Sequence, residues 1–187
     1  MSDSGYKSFR QFYLLSIVSI AVVLFIAALG LLHARGVPFQ AVLGGSGDER
    51  QNLEAQAARL DLMEQLVFPG WIDTVDDFLA GLDILCVPAR SDAFGLTPLQ
   101  AAVAGVPMVL SLASGHREIF RDGEQALFST VDDAASLADQ IQQLMTDTTL
   151  SERLRQAAHR HVVEHFGTGV VTEKLLQAIV SIVKYYK

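Results

Sequence analysis

Arg90-Ser91-Asp92-Ala93-Phe94-Gly95-Leu96-Thr97-Pro98-Leu99-Gln100-Ala101-Ala102-Val103-Ala104-Gly105-Val106-Pro107 is the stretch on which the fold turns. The apolar run before it, Ile84-Leu85-Cys86-Val87-Pro88, has the length and β-branched content of a buried strand. An Ala-rich helical pattern follows, opening at Thr97-Pro98 and stopping at Gly105. Thr97 suits an N-cap, Pro98 the first helical position and Gly105 the C-terminal stop. Strand, loop and helix start therefore meet at the C-terminal edge of a parallel sheet, where α/β proteins place ligands. The amides of Gly95, Leu96 and Thr97 would face outward there, at the positive end of a helix, ready for an anion such as a diphosphate. Gly95 removes the Cβ that would hold a ligand away from the backbone.

Outward from this stretch the chain alternates strand and helix. Residues 39–43, 66–68, 84–87, 108–110 and 126–128 read as strands. Asp48 is placed to cap a helix with Leu53, Ala57 and Leu60 on its apolar face, and Val75, Phe78, Leu79 and Leu82 mark another. A short helix at residues 116–120 leads into the Asp122-Gly123 turn. Helix resumes from Asp133, and Thr149-x-x-Glu152 forms a capping box for the next one. Gly167 and Gly169 break that helix before a last one at residues 170–186. The alternation predicts an α/β fold, a Rossmann-like parallel sheet with helices on both faces.

A chain of 187 residues has room for one domain with a substantial core. Half of it is apolar and only 19% charged, which excludes disorder. A net charge of -7 excludes the basic stripe that nucleic acid requires, so no nucleic acid partner is expected. The single Cys86 cannot form an internal disulfide and reads as a small core residue in a reducing compartment.

The central stretch resembles the donor-sugar motif of retaining GT-B glycosyltransferases of family 4, in which two Glu flank seven residues that include Phe-Gly-Leu-Thr-Pro-Leu. The flanking positions here are Asp92 and Gln100. The likeness continues through Leu31-Leu32-His33-Ala34-Arg35-Gly36-Val37, Gly44-Gly45-Ser46-Gly47-Asp48, Phe68-Pro69-Gly70-Trp71-Ile72 and Gly115-His116-Arg117-Glu118-Ile119 with Asp122-Gly123. It implies the C-terminal, nucleotide-sugar-binding half of a GT-B fold, without the acceptor-binding domain. In that family the donor domain opens with a strand and a loop whose Arg and Lys hold the donor diphosphate. Residues 6–20 match nothing of this kind, so the first strand is expected to be missing. The expected organisation is an apolar segment at 1–22, a donor-binding domain at 23–166 and a C-terminal helix at 167–187.

Residues 13–32 contain no charged side chain, which is close to the ~20 residues needed to span a bilayer. Three readings stand side by side: a helix in or on a membrane, a domain helix buried against the sheet, and a cleaved signal. Lys7 and Arg10 upstream suit the first and the last. A helix given wholly to lipid cannot also cover a sheet, so the readings compete for residues 23–32. The folded part is expected in the cytoplasm, free or attached to the membrane's cytoplasmic face, since nucleotide sugars are made there.

Asp92 stands where the family's first Glu meets the donor sugar hydroxyls, and is the catalytic candidate. It also fits a solvated loop Asp closing a turn. Gln100, three residues after Thr97, completes a capping box by itself. By resemblance it holds the nucleotide ribose, where its amide can accept one hydrogen bond and donate another. Phe94, Gly95, Leu96, Thr97 and Gly45 complete the implied donor site. The Gly44–Gly47 turn alone is a weak phosphate signal, since it lacks the Lys of a P-loop and reads equally as a tight βα turn. Trp71 is either near the base or a packed aromatic, and Arg117 either a phosphate partner or an exposed first-turn residue. His161 and His165 lie i,i+4 on a helix with nothing to complete a metal shell, so they read as a surface pair and no metal or other cofactor is expected.

The resemblance implies a glycosyltransferase that moves a hexose from a nucleotide diphosphate sugar to a glycan or lipid-linked acceptor, as in polysaccharide biosynthesis. Both carboxylates are altered and the basic pair is missing, so the chain is expected to be incomplete alone. The alternative is a truncated, non-catalytic module for nucleotide-sugar binding or membrane-tethered interaction. A separate acceptor-domain partner or self-association is expected through Val171, Leu175, Ile179 and Ile182 of the last helix.

Overall fold

The computed structural model describes residues 11–15 and 19–185. Its strands are β1 (Gln11–Leu15), β2 (Gln40–Gly44), β3 (Leu66–Gly70), β4 (Ile84–Val87), β5 (Met108–Ser111) and β6 (Leu127–Ser129). They form one six-stranded sheet in the order β3-β2-β1-β4-β5-β6, with every pairing parallel. The helices are α1 (Ser19–Ala34), α2 (Arg50–Arg59), α3 (Val75–Ala80), α4 (Leu96–Ala104), α5 (Ser114–Ile119), α6 (Ala134–Thr146), α7 (Thr148–Phe166) and α8 (Thr168–Tyr185).

The strand side chains alternate between two cores, as the pleat requires. Ile84, Cys86, Val109 and Leu127 meet Phe25, Leu29, Ala57 and Leu137 from α1, α2 and α6. Leu85, Val87, Met108, Leu110 and Phe128 meet Leu79, Leu99, Ile119 and Val162 from α3, α4, α5 and α7. Burial on both faces pushes the Cys86 thiol pKa up and leaves it with no reactive role.

The start of the sheet departs from expectation. The first strand is present: β1 lies between β2 and β4, with Gln11 opposite Gln40 and Tyr13 opposite both Val42 and Leu85. Residues 13–32 are therefore not one helix. The central strand of a parallel sheet is buried on both faces and shows no polar alternation, so strand and buried helix in tandem imitate a single membrane helix. The buried-helix reading holds for α1, in which Phe25, Ile26, Ala28, Leu29 and Leu32 are fully enclosed. No helix among the described residues is long and apolar enough to cross a membrane. Lys7, Arg10 and the side chain of Ile182 lie outside the described residues.

Several helix starts also move. Glu49, not Asp48, precedes α2, and no side chain caps it. α5 begins at Ser114, ahead of the expected His116. The Asp147 carboxylate accepts the Leu150 amide and opens α7 at Thr148, so the Thr149 and Glu152 box is not formed. Glu152 instead pairs with Arg155 and Gln156, whose hydrogen bonds hold its carboxyl pKa down to about 2. Gly167 follows α7, whereas Gly169 lies inside α8.

Candidate functional site

The sheet order reverses between β1 and β4, and the loop that follows the carboxyl end of β4 borders the crevice where open α/β sheets bind ligands. The loop after β4 folds back on itself there. Asp92 Oδ1 accepts the amides of Phe94 (3.0 Å) and Gly95 (2.7 Å). Gly95 sits at φ +73°, in the left-handed region that a side chain disfavours, and hands directly into α4. The helix therefore starts at Leu96, earlier than the sequence pattern suggests. Thr97 is inside the first turn and caps nothing, so the Thr97 and Gln100 box is absent. The Asp92 carboxylate has taken over the work of ordering this entry. The expected stop at Gly105 is present, at φ +71°.

α5 closes on this loop from the far side. The Gly115 amide donates to the Asp92 carbonyl at 3.0 Å. A Cβ at Gly115 would overlap that carbonyl oxygen and stand 3.0 Å from the Ala93 carbonyl carbon, so glycine is required for the approach itself. The next residue, His116, is fully buried. Its Nδ1 lies 3.0 Å from the Ser111 carbonyl and its Nε2 3.3 Å from Asp92 Oδ2. Burial works to raise the Asp92 carboxyl pKa, but the Gly95 and Phe94 amides and the His116 ring outweigh it and hold the group below its ordinary value.

Gly45 belongs to a second loop, between β2 and α2. It adopts φ +129° and donates its amide to Gly70 at 2.7 Å. Gly44, Gly45, Ser46, Gly47 and Asp48 line a cavity of about 370 Å³ with Val22, Leu53 and Phe68. Arg50 crosses its edge, donating to the Phe68 carbonyl at 2.8 Å and to Glu54 at 2.7 Å. β2 and β4 stand on either side of β1, so the two loops are roughly 10 Å apart by ordinary strand spacing.

The other candidates spread out. Phe94, Leu96 and Gln100 line an apolar groove of about 660 Å³ with Asp76, Leu99, Val103, Val162, Phe166 and Val171. Phe94 meets the Phe166 ring edge-on at 6.4 Å. Trp71 is 74% exposed, which removes the packed-aromatic reading, and Arg117 is exposed on α5. His161 and His165 stack at 4.7 Å and direct ring nitrogens at the carbonyls of Ile119 and His161. The role of His116 had no sequence signal. A lone histidine on a six-residue helix has no periodicity, and its two partners reach it only through tertiary packing.

Fold and loops together define a Rossmann-like α/β domain whose C-terminal sheet edge carries glycine-bearing βα loops. Residues 21–161 match the family model described as glycosyl transferases group 1, and the chain belongs to that family. It is 31% identical over 137 residues to the lipopolysaccharide core biosynthesis glycosyltransferase LpsE of Rhizobium meliloti (strain 1021), covering 73% of this chain and 40% of that one. It is 32% identical over 141 residues to the phosphatidyl-myo-inositol mannosyltransferase of Mycobacterium leprae (strain TN), covering 74% and 37%. The chain thus spans about 40% of the length of these curated relatives. Among solved structures, Anabaena Alr3699/HepE in complex with UDP and glucose superposes with a TM-score of 0.83 at 21% identity, over 92% of this chain and 48% of that one. The C-terminal domain of the group 1 protein LpcC from Francisella tularensis gives 0.77 at 20% identity, over 85% and 87%. These likenesses show a shared fold.

Proposed function

We propose that the chain is the C-terminal, donor-binding domain of a retaining glycosyltransferase of family 4. In this reading it binds a nucleotide diphosphate sugar at the carboxyl ends of β1, β2 and β4, for hexosyl transfer to a glycan or lipid-linked acceptor. One observation carries it: the Asp92–Gly95 fold-back delivers the N-terminus of α4 to the point where the sheet order reverses. The names of the relatives agree with it, since LpsE and the mycobacterial mannosyltransferase are both glycosyltransferases, and HepE was crystallised with UDP and glucose.

Asp92 has already taken the Phe94 and Gly95 amides, which leaves the Leu96 and Thr97 amides for the diphosphate. Asp92 Oδ2 faces His116, and the side chain is 28% exposed, so an acceptor position remains for a donor sugar hydroxyl. Gln100, one turn along α4, takes the ribose, and Gly45 opens the neighbouring cavity to the donor. The half-exposed Val171, Leu175 and Ile179 of α8 form the surface that meets an acceptor-binding partner. The donor supply places this work on the cytoplasmic side.

Thermal unfolding with millimolar UDP, GDP, ADP and their sugar conjugates tests the reading. A ligand at 100 times its Kd adds about 2.7 kcal/mol of stability, so at least one of them should raise Tm clearly. No shift with any of them contradicts donor binding. Binding without transfer, once an acceptor-binding partner is supplied, would mark a non-catalytic nucleotide-sugar-binding module instead.

A further inference from the structure

We propose that His116 is a positioning residue that holds the Asp92 carboxylate, and with it the 92–95 turn, in the conformation the donor sugar meets. The inference deepens the donor-binding reading of this site and rests on it. The Ser111 carbonyl and the Asp92 carboxylate can both only accept, so the two contacts require a proton on each ring nitrogen, with Nδ1 donating to the carbonyl at 3.0 Å and Nε2 the donor that faces Oδ2. Ser111 Oγ, 3.5 Å from the same nitrogen, donates to the Ala89 carbonyl. That anchor fixes the ring and aims Nε2 at the Asp92 carboxylate.

Nε2 then faces Asp92 Oδ2 at 3.3 Å, off the line of a hydrogen bond, and is buried with no satisfied partner among the described residues. Buried polar atoms in native folds are paired as a rule, so an orphan beside a carboxylate calls for an explanation. Here Asp92 Oδ1 is already pinned by two amides, so a small rotation of the carboxylate suffices to bring Oδ2 onto Nε2. With both oxygens held, the remaining lone pair of Oδ2 keeps one direction, toward the cleft. The backbone contact of Gly115 with Asp92 keeps α5 at the distance that makes this work.

Three variants of the full chain separate the contacts: H116Q keeps a donor near the Nε2 position, H116N only near Nδ1, and H116F keeps ring volume with neither. The first readout is hydrogen exchange at the Phe94 and Gly95 amides without ligand, and the second is affinity for UDP-glucose against UDP. The expected result is exchange at least tenfold faster at those two amides in H116N and H116F, with the rest of the domain unchanged and H116Q close to wild type. UDP-glucose affinity should fall about tenfold in the same two variants while UDP affinity holds. Wild-type behaviour in H116N overturns the proposal, as does equal loosening of the whole domain in all three. If H116N and H116F fail to fold while H116Q folds, the Nε2 contact is upheld; unfolding of all three overturns it. Failure of the wild type to bind either nucleotide sinks the donor-binding reading, and the exchange comparison still decides what His116 does.

Discussion

The β2–α2 loop and the β4–α4 loop both carry glycine at the same edge of the sheet, yet they use it for opposite ends. In the first, a Cβ added at Gly45 or Gly47 would meet nothing within 4 Å, no side chain caps α2, and the space beside the loop is a cavity. In the second, Gly95 sets the left-handed entry to α4, and Gly115 lets another backbone come within hydrogen-bond distance of Asp92. One loop borders open space and is held through the Gly45 amide on Gly70, and the other is tied at Asp92 from several directions. Glycine in a βα loop thus marks room for something outside the chain in one case, and a close approach within it in the other.

Both loops depend on β1 standing between them, and the largest effect should come from breaking it. Tyr13 pairs with strands on both sides, so Y13P removes a ladder hydrogen bond from the centre of the sheet. Urea denaturation should show a loss of about 3 kcal/mol or more, and an unchanged midpoint would remove β1 from its place. The next contrast is between glycines. G115A forces the Asp92 peptide aside and should cost about 2–3 kcal/mol by overpacking, whereas G47A should stay within about 0.5 kcal/mol. Equal costs would erase the difference between the loops.

A smaller effect belongs to the Asp92 carboxylate. D92A removes the acceptor of two amides ahead of α4, a loss of about 1 kcal/mol by analogy with helix caps. The sign with pH follows from the lowered pKa of this acid. Its stabilisation is fully present above the unfolded value near 3.8 and is lost as pH falls through the lower folded value. The gap between wild type and D92A should therefore be widest near neutrality and close in acid; a gap that grows on acidification contradicts the assignment. The smallest effect should come from R50A. Its pair with Glu54 is about half exposed, and chemical denaturation should register under about 0.5 kcal/mol.

The alternation of short apolar runs with helical patterns was enough to read the doubly wound sheet from β2 onward, because hydrophobic period survives in a sequence. The motif loop was legible in part: Gly105 stops α4 as its residue type demands, whereas the start lies at Gly95 and not at Thr97. β1 was not, because its residues carry no polar alternation and the sequence stays apolar from there through α1. Two of the misplaced caps share a cause. Asp92 and Asp147 accept amides just ahead of α4 and α7 and displace the Thr residues that follow them as helix starts. His116 stood within the Gly115–Ile119 likeness, but its contacts could not be read, since Ser111 and Asp92 arrive from other elements. The division of the candidates between a cavity at Gly45 and a groove at Gln100 is equally tertiary.

The central claim is that the two loops together receive a nucleotide diphosphate sugar. Backbone amide shifts of the ¹⁵N-labelled chain titrated with UDP-glucose, and in parallel with GDP and ADP conjugates, test it most directly. The account predicts saturable shifts concentrated at residues 44–48 and 92–97, with little change around His161 or on α6. Shifts confined to other surfaces, or none with any of these ligands at millimolar concentration, would contradict it.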